Sequence, residues 1–390
     1  MFDRAEPSPP DLLFGMMKKI REDKRPGKID VGLGIYRDGS GQSPIMRAVA
    51  AAQQHLLQTE TTKGYIGMRG QIAFLDAMQA LVFAKHMPPY LCSVQGLGGT
   101  GAIRLAIELI ARVNPQATVH VGLPTWPLHT SIPEAAKLAV QTHRFFNART
   151  QRVCTDEIFD AVDAAQAGDV FITQGPAHNP TGTDMPVDAQ FALYDKMAER
   201  GVIPLIDSAY YGLSTALEDD LAHLRGLLAR VPRALLALSC SKTFGLYRER
   251  VGVLFVKSAH QREADAALDS LVSIGRSAYS MAPSYGAALI AHVLNTPELK
   301  ADWCAELDTM RARIDSIRSA LAKGANQCPP LAKVGAQRGI FSLLPIDQAI
   351  VEQLADDHAV YMSLTGRINV AGLKDKDIAP FIEHLSQVAG

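Results

Sequence analysis

A lysine that leaves an apolar run for a turn of small hydroxyl residues is equipped for one kind of chemistry. The apolar run Ala234 to Leu238 leads straight into Ser239-Cys240-Ser241-Lys242-Thr243-Phe244-Gly245, and Arg250 lies eight residues beyond the lysine. A primary amine placed there can form a Schiff base with an aldehyde. The neighbouring hydroxyls, Ser239 among them, and the Arg250 guanidinium, whose fork matches phosphate oxygens, can hold a phosphate. An aldehyde and a phosphate on one molecule describe pyridoxal 5′-phosphate, a cofactor that carries the difficult chemistry while the protein positions and tunes it. The tetrapeptide alone says little, because most lysines are solvated surface residues.

Other segments add to it. Gly98-Gly99-Thr100-Gly101 precedes a helical pattern whose apolar face is Ile103, Ile107 and Ile110. Gly99 lets backbone N–H groups approach an anion, and a helix N-terminus favours negative charge. Thr100 is expected to cap that helix and to donate its hydroxyl to a phosphate; a plain tight turn is the alternative. Trp126, in Pro124-Thr125-Trp126-Pro127, either stacks on a planar ring or fills core. Asn179, in His178-Asn179-Pro180-Thr181-Gly182, is held extended by the following proline. Its amide can donate to the cofactor's phenolic oxygen, or the segment is simply a turn. Asp207 follows the apolar run Val202 to Ile206 and can pair with the pyridine nitrogen. An opposite charge keeps that nitrogen protonated and makes the ring a better electron sink; a buried aspartate bonded to backbone amides is the alternative. Tyr210 can donate to the same phenolic oxygen as Asn179. Arg367, in Thr365-Gly366-Arg367-Ile368-Asn369-Val370-Ala371-Gly372, can grip an α-carboxylate by its fork, or make a surface ion pair.

The elements that must position these residues are legible in outline. Val119 to Leu123, Asp169 to Thr173, Val202 to Ile206, Ala234 to Leu238 and Gly252 to Val256 read as buried strands, and such continuous apolarity suits a parallel sheet covered on both faces. Helical patterns lie between them. One is Pro186 to Arg200, with proline at about its first position and Gly201 just past its end. The alternation predicts an α/β fold with a mainly parallel sheet, in which ligands bind beyond the carboxyl ends of the strands. After about residue 290 the pattern changes to a long amphipathic helix carrying Leu307, Met310, Ile314, Ile317 and Leu321. Strand-like pieces follow at 339–344 and 367–370. We therefore expect a large cofactor domain over residues 42–295 and a smaller α+β domain over 296–390. The segment 1–41, strand-like from Lys28 to Tyr36, is expected to pack with the small domain.

Composition excludes several classes. The 390 residues are 47% hydrophobic and 20% charged with a formal net charge of −1, so there is no basic excess for nucleic acid. No apolar run approaches the ~18 residues of a membrane span, and Met1 to Pro7 interleave charges and proline unlike a signal peptide. The five cysteines, 92, 154, 240, 304 and 328, show no metal-ligand spacing. They fit a reducing compartment, so no metal and a cytoplasmic location are expected.

Taken together, G-G-T-G, W-P, H-N-P-T-G, D-x-A-Y, S-x-S-K-x-F-G-L-Y-x-E-R and G-R-I-N-V-A-G resemble, in order and approximate spacing, the class I pyridoxal-phosphate-dependent aminotransferases. The likeness is strongest to the bacterial aspartate and aromatic-amino-acid branch and covers essentially the whole chain. It implies the fold type I architecture, transamination by a ping-pong route with 2-oxoglutarate as acceptor, and a homodimer with shared active sites. By motif position, Lys242 is the catalytic lysine and Tyr65 reaches the partner's cofactor phosphate. Arg276 crosses to bind a dicarboxylate's distal carboxylate, and Gly34 belongs to a segment that closes over substrate. Trp126, Asn179 and Arg367 also contact substrate. Gly64 and Met281 depart from a strict aspartate pattern toward room for aromatic side chains, whereas Arg37 keeps a basic residue like that of the aspartate enzymes. Dual specificity is the expectation, with a strict aspartate enzyme as the alternative. A C–S lyase or decarboxylase on the same scaffold, and a catalytically silent binding module, are further readings. Gln174-Gly175-Pro176-Ala177 stands where relatives often carry His-Gly-Cys-Cys; the change removes an imidazole and leaves the usual hydrogen-bond network near Trp126 and His129, though not the chemistry, an open question.

Overall fold

The computed structural model describes residues 12–389; Met1 to Pro7 lie outside the described residues. Thirteen strands and thirteen α-helices are present among those residues. The first strand, β1 (Ile29–Asp30), is only two residues long, so most of the strand-like reading of residues 28–36 is extended chain instead. It is followed by β2 (Leu91–Leu97), β3 (Thr118–Leu123) and β4 (Ala139–Arg144). The short hairpin β5 (Phe146–Asn147) and β6 (Arg152–Val153) comes next, then β7 (Val170–Gln174), β8 (Ile203–Ser208), β9 (Ala234–Ser239) and β10 (Val251–Lys257). The last three, β11 (Phe341–Leu343), β12 (Val360–Tyr361) and β13 (Arg367–Asn369), are again short.

One seven-stranded sheet in the order β2-β10-β9-β8-β7-β3-β4 organises the molecule. All neighbouring pairs from β9 to β4 are parallel, and only β10 runs antiparallel to the strands beside it. The strands at the centre are apolar throughout, as in β9, where all six residues are buried. Two hydrophobic clusters cover the faces of the sheet, which is why those strands carry no polar alternation. The five strands expected from apolar runs are present within one or two residues. Two were not anticipated: β2, which carries buried Ser93 and Gln95, and the largely exposed edge strand β4.

The helix after β7 runs Val187–Arg200 and ends at Gly201, whose φ of 70° is the left-handed conformation that favours glycine. Pro186 stands just before the first turn rather than inside it. The long helix near the C-terminus spans Pro297–Lys323 and buries Leu307, Met310, Ile314, Ile317 and Leu321. From the same helix, buried Arg318 donates to the carbonyls of Val334, Arg338, Gly339 and Phe341 and to Ser342 Oγ. That fan of bonds fixes the approach to β11, and with it Phe341. β11 pairs antiparallel with β13, and β1 pairs with β12, so the N-terminal strand and the last third of the chain are built together. Among the described residues, no helix is long and apolar enough to cross a membrane.

Candidate active site

β7, β8 and β9 lie side by side and parallel, so their carboxyl ends deliver Gln174, Asp207 and Ser239 to one edge of the sheet. This is the edge at which open α/β sheets take their ligands. A cavity of about 470 Å³ opens there, lined by Gly99, Thr100, Trp126, Asn179, Asp207, Tyr210, Ser239, Lys242 and Arg250. Residues read separately from five motifs thus meet in one place. Ser241 joins them.

Each wall has its own chemistry. At one end the helix Gly98–Val113 points its N-terminus into the cavity beside the Thr100, Ser239 and Ser241 hydroxyls. Thr100 does not cap this helix, as the sequence led us to expect. Gly98, at φ 68°, lets the chain enter the helix early, so Leu97 takes the cap position and Thr100 sits in the first turn with its hydroxyl uncommitted to a cap. Arg250 is anchored by donating to Tyr247 O at 3.0 Å and Ser241 Oγ at 3.3 Å. A Cβ on Gly98 would lie 2.5 Å from Arg250 Nη2, and one on Gly99 would lie 2.8 Å from Ser239 Cβ. The two glycines therefore allow backbone, guanidinium and hydroxyl to close around one small volume. At the other end sits Asp207, whose Oδ2 is 3.0 Å from His129 Nε2. Between them stand Lys242 and Tyr210, with Nζ 5.6 Å from the Tyr210 ring centre.

Burial sets the electrostatics. Loss of hydration lowers the Lys242 pKa to about 8; Asp207 opposes that shift, while Arg250 and Arg367 add to it. The Tyr210 hydroxyl is pushed above its ordinary range by burial first and by Asp207 second, so it stays a donor. Burial also lowers the Arg367 pKa, yet a guanidinium starts high enough to remain charged. Arg367 lies 4.4 Å over the Phe341 ring and donates to Gly32 O at 3.2 Å and Asn179 Oδ1 at 3.4 Å. Its Nε is buried with no partner among the described residues.

The depressed lysine carries a prediction. A neutral amine attacks an aldehyde and an ammonium does not, so capture of the aldehyde cofactor by cofactor-free protein should speed up as pH rises. We expect roughly a tenfold gain per unit below the Lys242 pKa of about 8, then a plateau. A rate that keeps climbing toward about pH 10, as for an unperturbed lysine, would refute the burial argument; stopped-flow absorbance measures it.

Of the sequence-selected residues, Tyr65, Arg276, Gly34 and Arg367 do not line this cavity. Tyr65 is 91% exposed, and Arg276 is exposed on the helix Gln261–Tyr279. Gly34 reaches the site through Phe341: a Cβ there would lie 2.6 Å from Phe341 Cζ. Phe341, which the sequence did not single out, also meets the Tyr210 ring edge-on at 5.9 Å and so joins Gly34, Arg367 and Tyr210. Trp126 is half-buried and edge-on to His129 at 5.4 Å. Arg37 pairs with Asp30 at 2.6 Å. Met281 accepts the Ile66 N–H on its sulfur at 3.0 Å, tying down the chain next to Tyr65.

One question left open by the sequence is answered by the side-chain contacts. Gln174 does not abolish the network around His129. Its side chain reaches both Thr125 and the Asn179 backbone, and Thr125 Oγ1 lies 2.7 Å from His129 Nδ1. A primary amide has enough donors and acceptors to serve all three contacts.

The donor set fits the cofactor read from the sequence. An amine suits the aldehyde, hydroxyls with a guanidinium and a helix N-terminus suit the phosphate, and a carboxylate suits a ring nitrogen. Among the described residues, no cluster of His, Cys, Asp or Glu could hold a metal ion. The family model described as aminotransferase class I and II matches residues 26–385. The chain belongs to that family. It is 42% identical over 381 residues to the tyrosine aminotransferase of Rhizobium meliloti strain 1021, covering 97% of this chain and 98% of that one. It is 35% identical to the aspartate aminotransferase of Escherichia coli strain K12, covering 100% of both. A solved aromatic amino acid aminotransferase with 3-indolebutyric acid superposes with a TM-score of 0.96 at 38% identity, over 100% of each chain. A second, the Burkholderia pseudomallei aromatic-amino-acid aminotransferase covalently bound to pyridoxal phosphate, gives 0.96 at 30% identity, again over 100% of each.

Proposed function

We propose that this aminotransferase uses pyridoxal 5′-phosphate to move the amino group of aromatic amino acids and of aspartate to 2-oxoglutarate, in two half-reactions. The observation that carries the reading is the single cavity in which Lys242, Asp207 and Arg250 converge. When bound, the cofactor supplies the electron sink and carries the amino group between the half-reactions. The protein does the rest. The Arg250 guanidinium, the Thr100, Ser239 and Ser241 hydroxyls and the N-terminus at Gly98–Gly99 hold the phosphate. Asp207 holds a proton on the ring nitrogen, and Asn179 and Tyr210 donate to the phenolic oxygen. Trp126 covers a face of the ring. Arg367, already posed by Phe341 and Asn179, grips the substrate α-carboxylate. Lys242 Nζ anchors the cofactor and then, as a free amine, takes the proton from the substrate Cα.

The exposure of Tyr65 and Arg276 supports a homodimer in which each subunit lends these residues to the other's site. Residues 42–295 are then the cofactor domain and 296–390, with 1–41, the smaller one. The five free cysteines favour a reducing compartment, and we assign the chain to the cytoplasm.

The test is a half-reaction without 2-oxo acid. Cofactor-loaded protein mixed with excess L-phenylalanine or L-aspartate should lose the absorbance of the lysine-bound cofactor with either amino acid. Loss with aspartate alone makes it a strict aspartate enzyme, and loss with neither ends the assignment. Arg276→Ala should slow the aspartate reaction about 30- to 5,000-fold, the worth of truncating one partner of a charge-paired contact. The phenylalanine reaction should change less than about threefold, because an aromatic side chain makes no such pair.

A further inference from the structure

The hydrogens around His129 can be placed one at a time. The Asn179 backbone offers Gln174 one donor and one acceptor: its N–H donates to Oε1 at 2.8 Å and its carbonyl accepts from Nε2 at 2.8 Å. That double contact admits a single orientation of the amide. The second Nε2 hydrogen then goes to Thr125 Oγ1, at 3.0 Å, where the hydroxyl can only accept it. Thr125 keeps its own proton to give, and the acceptor it meets is His129 Nδ1 at 2.7 Å. A ring nitrogen that accepts a hydrogen bond carries no proton. The other nitrogen, Nε2, faces Asp207 Oδ2 at 3.0 Å, and an ionised carboxylate only accepts, so Nε2 bears the hydrogen. A doubly protonated ring would remove the acceptor that the Thr125 hydroxyl proton meets beside His129, itself 0% exposed.

We propose that Gln174 is a positioning residue: acting through Thr125 it fixes His129 as a neutral imidazole, so that Asp207 keeps its full negative charge for the cofactor's ring nitrogen. The second half of that statement rests on the role given to Asp207 above; the first half stands on the hydrogen bonds alone. An imidazolium beside Asp207 would cancel the charge that the ring nitrogen needs. Glutamine suits the task because its direction is locked by backbone and it does not titrate. A neutral histidine, which relatives often carry here, offers one N–H and one lone pair. It cannot serve the Asn179 N–H, the Asn179 carbonyl and Thr125 together.

The experiment reads ring nitrogens rather than turnover. Cofactor-free protein with 15N-labelled histidine is examined by NMR at neutral pH, with the His129 signals assigned by their loss in His129→Asn. Wild type should show Nε2 protonated and Nδ1 bare; a proton on Nδ1 overturns the proposal before any variant is made. In Gln174→Glu, read at a pH where the 13C shift of the introduced carboxyl shows it ionised, the side chain only accepts, so Thr125 turns its proton to the carboxylate and Nδ1 must gain one. A folded Gln174→Glu protein, with a melting temperature near that of wild type, whose Nδ1 stays bare also overturns it. Failure of the cofactor reading looks different. It would leave these signals as expected, while protein given pyridoxal 5′-phosphate would develop no lysine-bound absorbance.

Discussion

Lys242→Ala should abolish amino transfer, lowering kcat by at least about 10⁴-fold. General acid–base catalysis alone is worth about 10²–10⁴, and loss of the covalent anchor adds to it. The geometry explains why no neighbour substitutes. Tyr210 stands beside the lysine, 5.6 Å from Nζ to its ring centre, and its hydroxyl is held above the ordinary phenol range by burial and by Asp207. It therefore donates readily but makes a poor base. Lys242→Arg should fail almost as completely, since a guanidinium does not give up its proton. Phosphate-end contacts through Arg250 and Ser241 are untouched in either variant, so both should still bind the cofactor without a covalent link. Borohydride reduction followed by peptide mapping should mark Lys242 in wild type and nothing in the variants. Turnover within about tenfold of wild type in Lys242→Ala would remove the lysine from the mechanism.

Why so much of this site could be read from the chain comes down to where its residues sit. Asp207 and Ser239 end strands that are buried on both faces, and a run such as Ala234 to Leu238 announces both the strand and the position of its last residue. Strands with polar partners far away were silent. β2 carries Ser93 and Gln95 in the core. Gln95 is satisfied by accepting from Gln71 N at 2.9 Å and donating to Pro283 O at 2.8 Å, contacts that no local pattern reveals. β4 is an edge strand with an exposed pattern, so its pairing with β3 left no apolar signature.

The supporting residues were harder to see for the same reason. Thr125 and His129 are four apart, which hints at one face of a turn, yet nothing local says that the imidazole ends 3.0 Å from Asp207, across 78 residues of sequence. Phe341 likewise matters only because Arg318 holds its loop and because Gly34, Tyr210 and Arg367 converge on it. Residues that act directly carry chemistry in their type; residues that position them are ordinary types in particular places. Gln174 was undecidable on this point. A missing imidazole left the network open, and only the fold shows that an amide with two donors and an acceptor completes it.

Asp207 offers the second large effect, and it separates charge from shape. Its side chain is 13% exposed and fixed by His129, so a ring nitrogen held beside it sits in a poorly solvated place. Removing one partner from a charge pair in such surroundings costs about 3–5 kcal/mol. If that loss falls on the step in which the substrate Cα gives up its proton, kcat drops by about 10²–10⁴. Asp207→Asn tests the point most sharply. Asparagine keeps the size and can still accept from His129 Nε2, but it offers no charge to hold a proton on the nitrogen, so its kcat should fall almost as far as that of Asp207→Ala. Asp207→Glu keeps the charge at the cost of displacement and should retain clearly more activity than either. On the proposed role of Arg367, which Phe341 and Asn179 hold in place, as the group that takes the carboxylate, KM for the amino donor should change little in all three. Steady-state kcat and KM measured side by side decide it. An Asp207→Asn enzyme within about tenfold of wild type would mean that shape, and not the anion, is what the site requires at this position.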